Sequence, residues 1–183
     1  MSLTTLDIKE PGLNSLPPGV ERYVVEGGGL TGIQILPDDE IEIINNEGNQ
    51  ICEISVFNKD GKSELAILGL KEIKDNSEIK KILFKKDETS LQALLQLKKR
   101  NLNIEKSKSS LIFDKETKSG ENIKLKSKDK CYCIIAAPGN EMVVYEQNPS
   151  TELTVMVKRS IVKKDKEFSI IPDPVYDPSN EIN

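Results

Sequence analysis

Apolar and polar residues alternate with strand period through residues 22–58. Ile41 and Ile43 stand between Glu40 and Glu42, and Cys52, Ile54 and Val56 stand between Glu53 and Ser55, so each segment has one apolar and one wet face. Tyr23-Val24-Val25 and Ile33-Gln34-Ile35 supply two more short strands ahead of them. Between the last pair, Asn45-Asn46-Glu47-Gly48-Asn49 tolerates positive φ, which predicts a tight hairpin joining the two.

Residues 27–32, Gly-Gly-Gly-Leu-Thr-Gly, fit the G-x-G-x-x-G spacing of a loop that cradles a dinucleotide pyrophosphate. That mechanism needs a helix N-terminus directly after the glycines. Here Ile33-Gln34-Ile35-Leu36-Pro37 follows, alternating and then broken by proline, so the glycines are read as a second hairpin turn.

The period changes after a turn cluster at residues 58–63 and an apolar stretch of uncertain type at 64–70. A short helix is predicted near residues 76–86, capped by Asn76 or Ser77 with Ile79, Ile82 and Leu83 on its buried side. A second starts at the Thr-x-x-Gln box Thr89-Ser90-Leu91-Gln92, carries Leu91, Leu94, Leu95 and Lys98 on one stripe, and ends in Lys98-Lys99-Arg100-Asn101. The run Lys80-Lys81 and Lys85-Lys86 reads as a solvated helix face. Strands return with Leu111-Ile112-Phe113, then Ile123 and Leu125 between lysines. Cys131-Tyr132-Cys133-Ile134-Ile135-Ala136-Ala137 is apolar on both faces, as a central strand is. Met142-Val143-Val144 and Leu153–Val157 complete the set.

The predicted fold is mainly β, a barrel or sandwich of about eight or more short, mostly antiparallel strands, interrupted by a helical hairpin near residues 75–102. Pro11-Gly12 and Pro17-Pro18-Gly19 make residues 1–21 an N-terminal arm. Residues 22–160 form the β-rich domain with its helical insertion. Residues 161–183, rich in charge and carrying Pro172-Asp173-Pro174, read as a linker or arm.

Composition narrows the chemistry. Of 183 residues 37% are hydrophobic and 31% charged, with no apolar run of the roughly 20 residues a membrane span needs and no secretory leader pattern, so a cytoplasmic location is expected. Net charge is −4, the arginines are Arg22, Arg100 and Arg159, and aromatics make up 4% with no Trp, which excludes the basic, aromatic-laced stripe of a nucleic-acid binder. Cys52, Cys131 and Cys133 cannot all pair within one chain and are expected as reduced, partly buried thiols. No histidine occurs. That removes Ser-His and Cys-His nucleophile pairs, His-liganded zinc and an imidazole proton shuttle, leaving carboxylates, thiols and lysines.

Two candidate sites follow from the residues. Cys52 with Glu47 or Glu53 beside it is the thiol that could attack a carbonyl or amidine carbon, although alternation with Ile54 and Val56 points it into the core, where its reactivity falls. Gln50, Glu53 and Gln147 are the polar turn-side groups that could line a pocket for an amine or amino acid.

The glycine-rich turn, Asp38-Asp39-Glu40-Ile41-Glu42-Ile43, Glu47-Gly48-Asn49-Gln50, the helical insertion, Ala136-Ala137-Pro138-Gly139 with Met142, Gln147-Asn148-Pro149 with Thr151 and Leu153, and Pro172-Asp173-Pro174 occur in an order that resembles the N-terminal region of large fused proteins whose C-terminal part is a glycine-cleavage-T-like aminomethyltransferase. In those proteins the Pro-Asp-Pro stretch leads to a β-rich domain similar to the urea-carboxylase-associated family, which carries its own Glu-Gly-x-Gln hairpin. The resemblance implies a parent that transfers a one-carbon unit from an amine to tetrahydrofolate, on a folate domain that no segment of this chain matches. It implies no cofactor within these residues, and a non-catalytic accessory or regulatory domain whose partners are the downstream domains of its own polypeptide.

Overall fold

The computed structural model describes residues 16–72, 77–139 and 149–161. Its strands are β1 (Val20–Val25), β2 (Leu30–Ile35), β3 (Glu40–Asn45), β4 (Cys52–Asn58), β5 (Ser109–Phe113), β6 (Asn122–Lys126), β7 (Cys131–Ala136) and β8 (Leu153–Lys158), with helices α1 (Glu78–Leu83) and α2 (Glu88–Lys99) between β4 and β5. One sheet has the order β1-β8-β3-β6 and the other β2-β7-β4-β5, with every pairing antiparallel. Two four-stranded sheets connected in this way form a jelly-roll sandwich. The predicted mainly β sandwich with a helical insertion is therefore the fold. The predicted strand Met142–Val144 lies outside the described residues.

Alternation located the strands, but both predicted hairpins are corrected. β3 and β4 lie in opposite sheets, as do β1 and β2, so the Asn45–Asn49 and Gly27–Gly29 segments cross from one layer to the other. The physical reason is burial. Ile41 and Ile43 of β3 and Cys52, Ile54 and Val56 of β4 all enter the same core, and two strands can present those apolar faces to each other by stacking as readily as by pairing side by side. β7, paired on both edges and buried on both faces, is the central strand that its apolar run predicted.

The sandwich interior is filled by these residues with Ile33 and Ile35 of β2, Cys131, Cys133 and Ile135 of β7, and Leu153, Val155 and Val157 of β8. A single 3-10 turn, Leu65–Leu68, adds Leu65, Ile67 and Leu68 to the same core. A second cluster forms on the outer face of the β2-β7-β4-β5 sheet, where Ile79 and Leu83 of α1 pack with Phe57, Ile134 and Ala136. The molecule thus has three layers: sheet, sheet and helices.

The helices start on caps. Ser77 accepts from the Lys80 amide at the head of α1, as predicted. α2 begins two residues before the predicted box: Asp87 accepts from the Ser90 amide at 2.7 Å, and the Ser90 hydroxyl donates back to the Asp87 carbonyl. The helix packs through a face one residue away from the predicted stripe: Ala93, Leu94 and Leu97 pack inward, while Leu91 and Leu95, placed on the buried stripe by their spacing, are exposed.

At the edge where both sheets meet, Arg159 ties the layers together. Its Nε and Nη2 bind the Glu21 carboxylate of β1 at 3.0 and 2.6 Å, and its Nη1 donates to Asp39 at 2.7 Å and to the Gln34 carbonyl of β2 at 2.9 Å. Asp39 is fully buried and also accepts from the amides of Leu36 and Ser160. Burial alone would raise its pKa, but these two amides and the guanidinium outweigh that and hold it below the usual carboxylate range. The Arg159 hydrogen bonds likewise lower Glu21.

Arg159→Met leaves Asp39 buried without its counter-charge and is expected to cost about 3 kcal/mol, measured as a fall in urea midpoint at neutral pH. Because both carboxyls bind protons more weakly in the folded state, the stabilisation is complete above their ordinary values, about pH 4, and is lost as pH falls through the folded ones. The gap between variant and wild type should therefore narrow below about pH 4; equal midpoints at every pH would refute the assignment.

Candidate functional site

The crossing from β3 to β4 is built by side chains. Asn45 donates through Nδ2 to the Gln50 carbonyl at 2.8 Å and accepts from the Gly48 amide at 3.0 Å. Gly48 has φ of +81°, and a Cβ there would stand 2.6 Å from the Ser119 amide nitrogen, so the turn tolerates no other residue without moving its neighbour.

Gln50 follows, fully buried. Its Nε2 donates to the carbonyls of Ile51 and Pro138 at 2.9 and 2.8 Å, and its Oε1 accepts from the Thr151 amide at 2.7 Å. The side chain thereby holds both ends of the connection between β7 and β8. Gln147 belongs to that connection and lies outside the described residues.

Glu53 is also buried, on the face of β4 that meets α1. Its Oε1 accepts from the Ser77 hydroxyl at 2.7 Å and the Ile79 amide at 3.4 Å, and its Oε2 from the Glu78 amide at 2.7 Å. A carboxylate facing the first amides of a helix satisfies donors that the helix cannot pair itself. Gln50 and Glu53 thus sit in one strand-loop unit, with their hydrogen-bonding atoms turned to this chain's own groups, and neither lines the cavities described below. Glu53→Ala strips α1 of these contacts and is expected to destabilise the protein by about 2 kcal/mol, with exchange of the Glu78–Leu83 amides accelerating more than that of the β strands; uniform acceleration would show that Glu53 does not anchor the helix.

The thiols are buried. Cys52 lies in the core, where burial first and the neighbouring Glu53 charge second push its pKa far up. Glu47 is exposed at the tip of the crossing and does not share Cys52's surroundings. A nucleophile needs thiolate, access and an electropositive setting, and this thiol has none of them. Cys131 and Cys133 point into the core from the same face of β7 with their sulfurs 3.8 Å apart, and the Ser127 hydroxyl stands 3.7 Å from Cys131. Contact with Cys131 and burial raise Cys133. Among the described residues no group of three or more Cys, Asp or Glu side chains could hold a metal ion, and no helix is long and apolar enough to cross a membrane.

Among the described residues a hollow of about 480 Å³ runs along β3 and β6 beside Glu40, Lys124 and Lys126, and another space lies beneath α2. That helix buries only Ser90 and stands off the outer face of β2 and β7, leaving a cleft of about 250 Å³. Leu30, Tyr132 and Ile134 supply its floor, Ala93 and Leu97 its wall, and Arg100 with Gln34 and Gln96 its polar groups. Gly32 lies in the floor, and a Cβ there would meet nothing within 4 Å. Glycine inside a strand weakens it and marks a place where something approaches the backbone closely. Past Leu30 and Ala93 the cleft continues into a wider hollow of about 650 Å³ against Gly28, Gly29 and Lys85. The glycine segment therefore borders a cavity, although β2 rather than a helix follows it. Pattern reading missed this site because it exists only where a helix is lifted from a sheet. The one local signal was Gly32 at an outward strand position.

Fold and site define a jelly-roll module with a helical layer on one sheet and three buried thiols. No family model matches the chain. Over 176 residues, 96% of its length, it is 34% identical to a trimethylamine-oxide aldolase of Ruegeria pomeroyi, and the matched stretch is 22% of that protein. The chain thus corresponds to a domain-sized part, about a fifth, of a larger relative.

Proposed function

We propose that this chain is a non-catalytic accessory module of a larger, tetrahydrofolate-dependent aminomethyltransferase-like protein acting on a methylated amine or amine oxide. The observation that carries the reading is the match to trimethylamine-oxide aldolase, which takes in nearly all of this chain and about a fifth of the relative. Supporting it, no histidine is available and Cys52 is sealed in the core, while the carboxylates Asp39 and Glu53 are engaged in holding the fold. Folate chemistry would then belong to the parent's other domains, and no residue of this chain is assigned to it.

The 183-residue chain should give no turnover of trimethylamine N-oxide with or without tetrahydrofolate. A parent protein lacking it should show an altered kcat or KM that the added chain restores. Turnover by the chain alone, or kinetic constants indifferent to its removal, would overturn the reading.

The cleft under α2 favours a second reading, a small-molecule binding module for an amine or amino acid. Trimethylamine N-oxide, glycine and betaine are the probes; a ligand that prefers the folded state raises the thermal midpoint. Gly32→Leu, which fills the floor, should abolish the rise. No rise with any probe, or one that survives the substitution, would remove this reading.

A further inference from the structure

The helical layer carries apolar side chains outward as well as inward. On α2, Leu91 and Leu95 are 50% and 59% exposed, and Phe84 at the end of α1 is 45% exposed. Leu91 and Leu95 stand one helical turn apart and so share a face. Phe84 and half-buried Leu94 together border a groove of about 370 Å³ against Leu102 and Ile104. Single exposed leucines need no explanation, but a contiguous apolar patch on a helix marks a surface that meets something.

Charge narrows what that is. Residues 77–106 carry eight lysines and arginines against four acidic residues, a net of +4 in a chain whose total is −4. Lys85 and Lys86 directly follow Phe84, Lys98 lines the Phe84–Leu94 groove together with Glu105, and Lys99 ends the helix, while Arg100 faces the cleft under α2. A second copy of this chain would bring the same basic rim against itself, which like-charge repulsion disfavours. The complementary surface has an apolar centre ringed by carboxylates. The matched stretch is 22% of the relative, and on the accessory-module reading the rest of such a polypeptide is the partner to which this face is presented.

We infer that Phe84, Leu91, Leu95 and their basic rim form the surface by which this module docks onto an acid-rimmed apolar patch in the remaining part of its parent polypeptide. The inference rests on the accessory-module reading and names its interface. The helical insertion then has a task the sandwich does not need it for: α1 covers the sheet, and α2 presents the contact.

Hydrogen exchange of the intact parent, compared with the 183-residue chain alone, tests it. The amides of residues 84–99 should exchange at least about tenfold more slowly in the parent. Leu91→Gln with Leu95→Gln should abolish that protection in the parent while leaving the melting temperature of the 183-residue chain within about 2 °C, since both positions are exposed and glutamine is a good helix former. Equal exchange in parent and chain would overturn the inference. So would protection in the chain alone, whether it grows with concentration, as for a second copy, or does not, as for its own residues 162–183. Failure of the accessory reading shows separately, as kinetics indifferent to the module, because exchange reports contact and not turnover.

Discussion

The buried ion pair between Asp39 and Arg159 is the constraint on which the sandwich depends. A jelly roll passes its chain from sheet to sheet, so its loops lack the two-strand ladder that would pair the backbone groups of a hairpin. Those groups must find side chains. Asp39 receives the Leu36 amide in the β2–β3 crossing and the Ser160 amide after β8, while Arg159 reaches back to Glu21 on β1 and to the Gln34 carbonyl on β2. At the next crossing Asn45 and Gln50 do the equivalent work. Each of these groups is polar and matched by a partner, and for Asp39, Asn45 and Gln50, which are fully removed from water, an unmatched group would cost more than the contact itself contributes.

The strands were legible in the residues; their partners were not. Period-2 alternation reports that one face is buried, and it reads the same whether Ile41 and Ile43 lie beside Ile54 and Val56 or across the core from them. Asn45–Asn49 has the composition of a reversal because a crossing also reverses direction and also needs positive φ, which Gly48 and Asn49 supply. For α2 the signal failed by about a quarter-turn. Asp87 made a better cap than Thr89, and the helix touches the sheet through small and half-buried residues, so no deep stripe existed to be read.

The candidate site was the least legible part. Gln50 and Glu53 stood out as polar groups among apolar neighbours, a pattern that serves a ligand and a buried helix cap equally well. Only tertiary placement distinguishes the two, since the groups that Glu53 binds come from residues 77–79, far along the chain. Composition did carry one further feature: residues 77–106 hold a net charge opposite in sign to that of the chain as a whole.

The single amide of Gln50 grips the Pro138 carbonyl on one side and the Thr151 amide on the other. The feet of the β7–β8 connection are therefore bolted down independently of whatever stands between them. The chain's departure from β7 and its approach to β8 are thereby clamped by one residue of a neighbouring crossing, so three connections share a single fastening and a change at Gln50 would loosen all of them together.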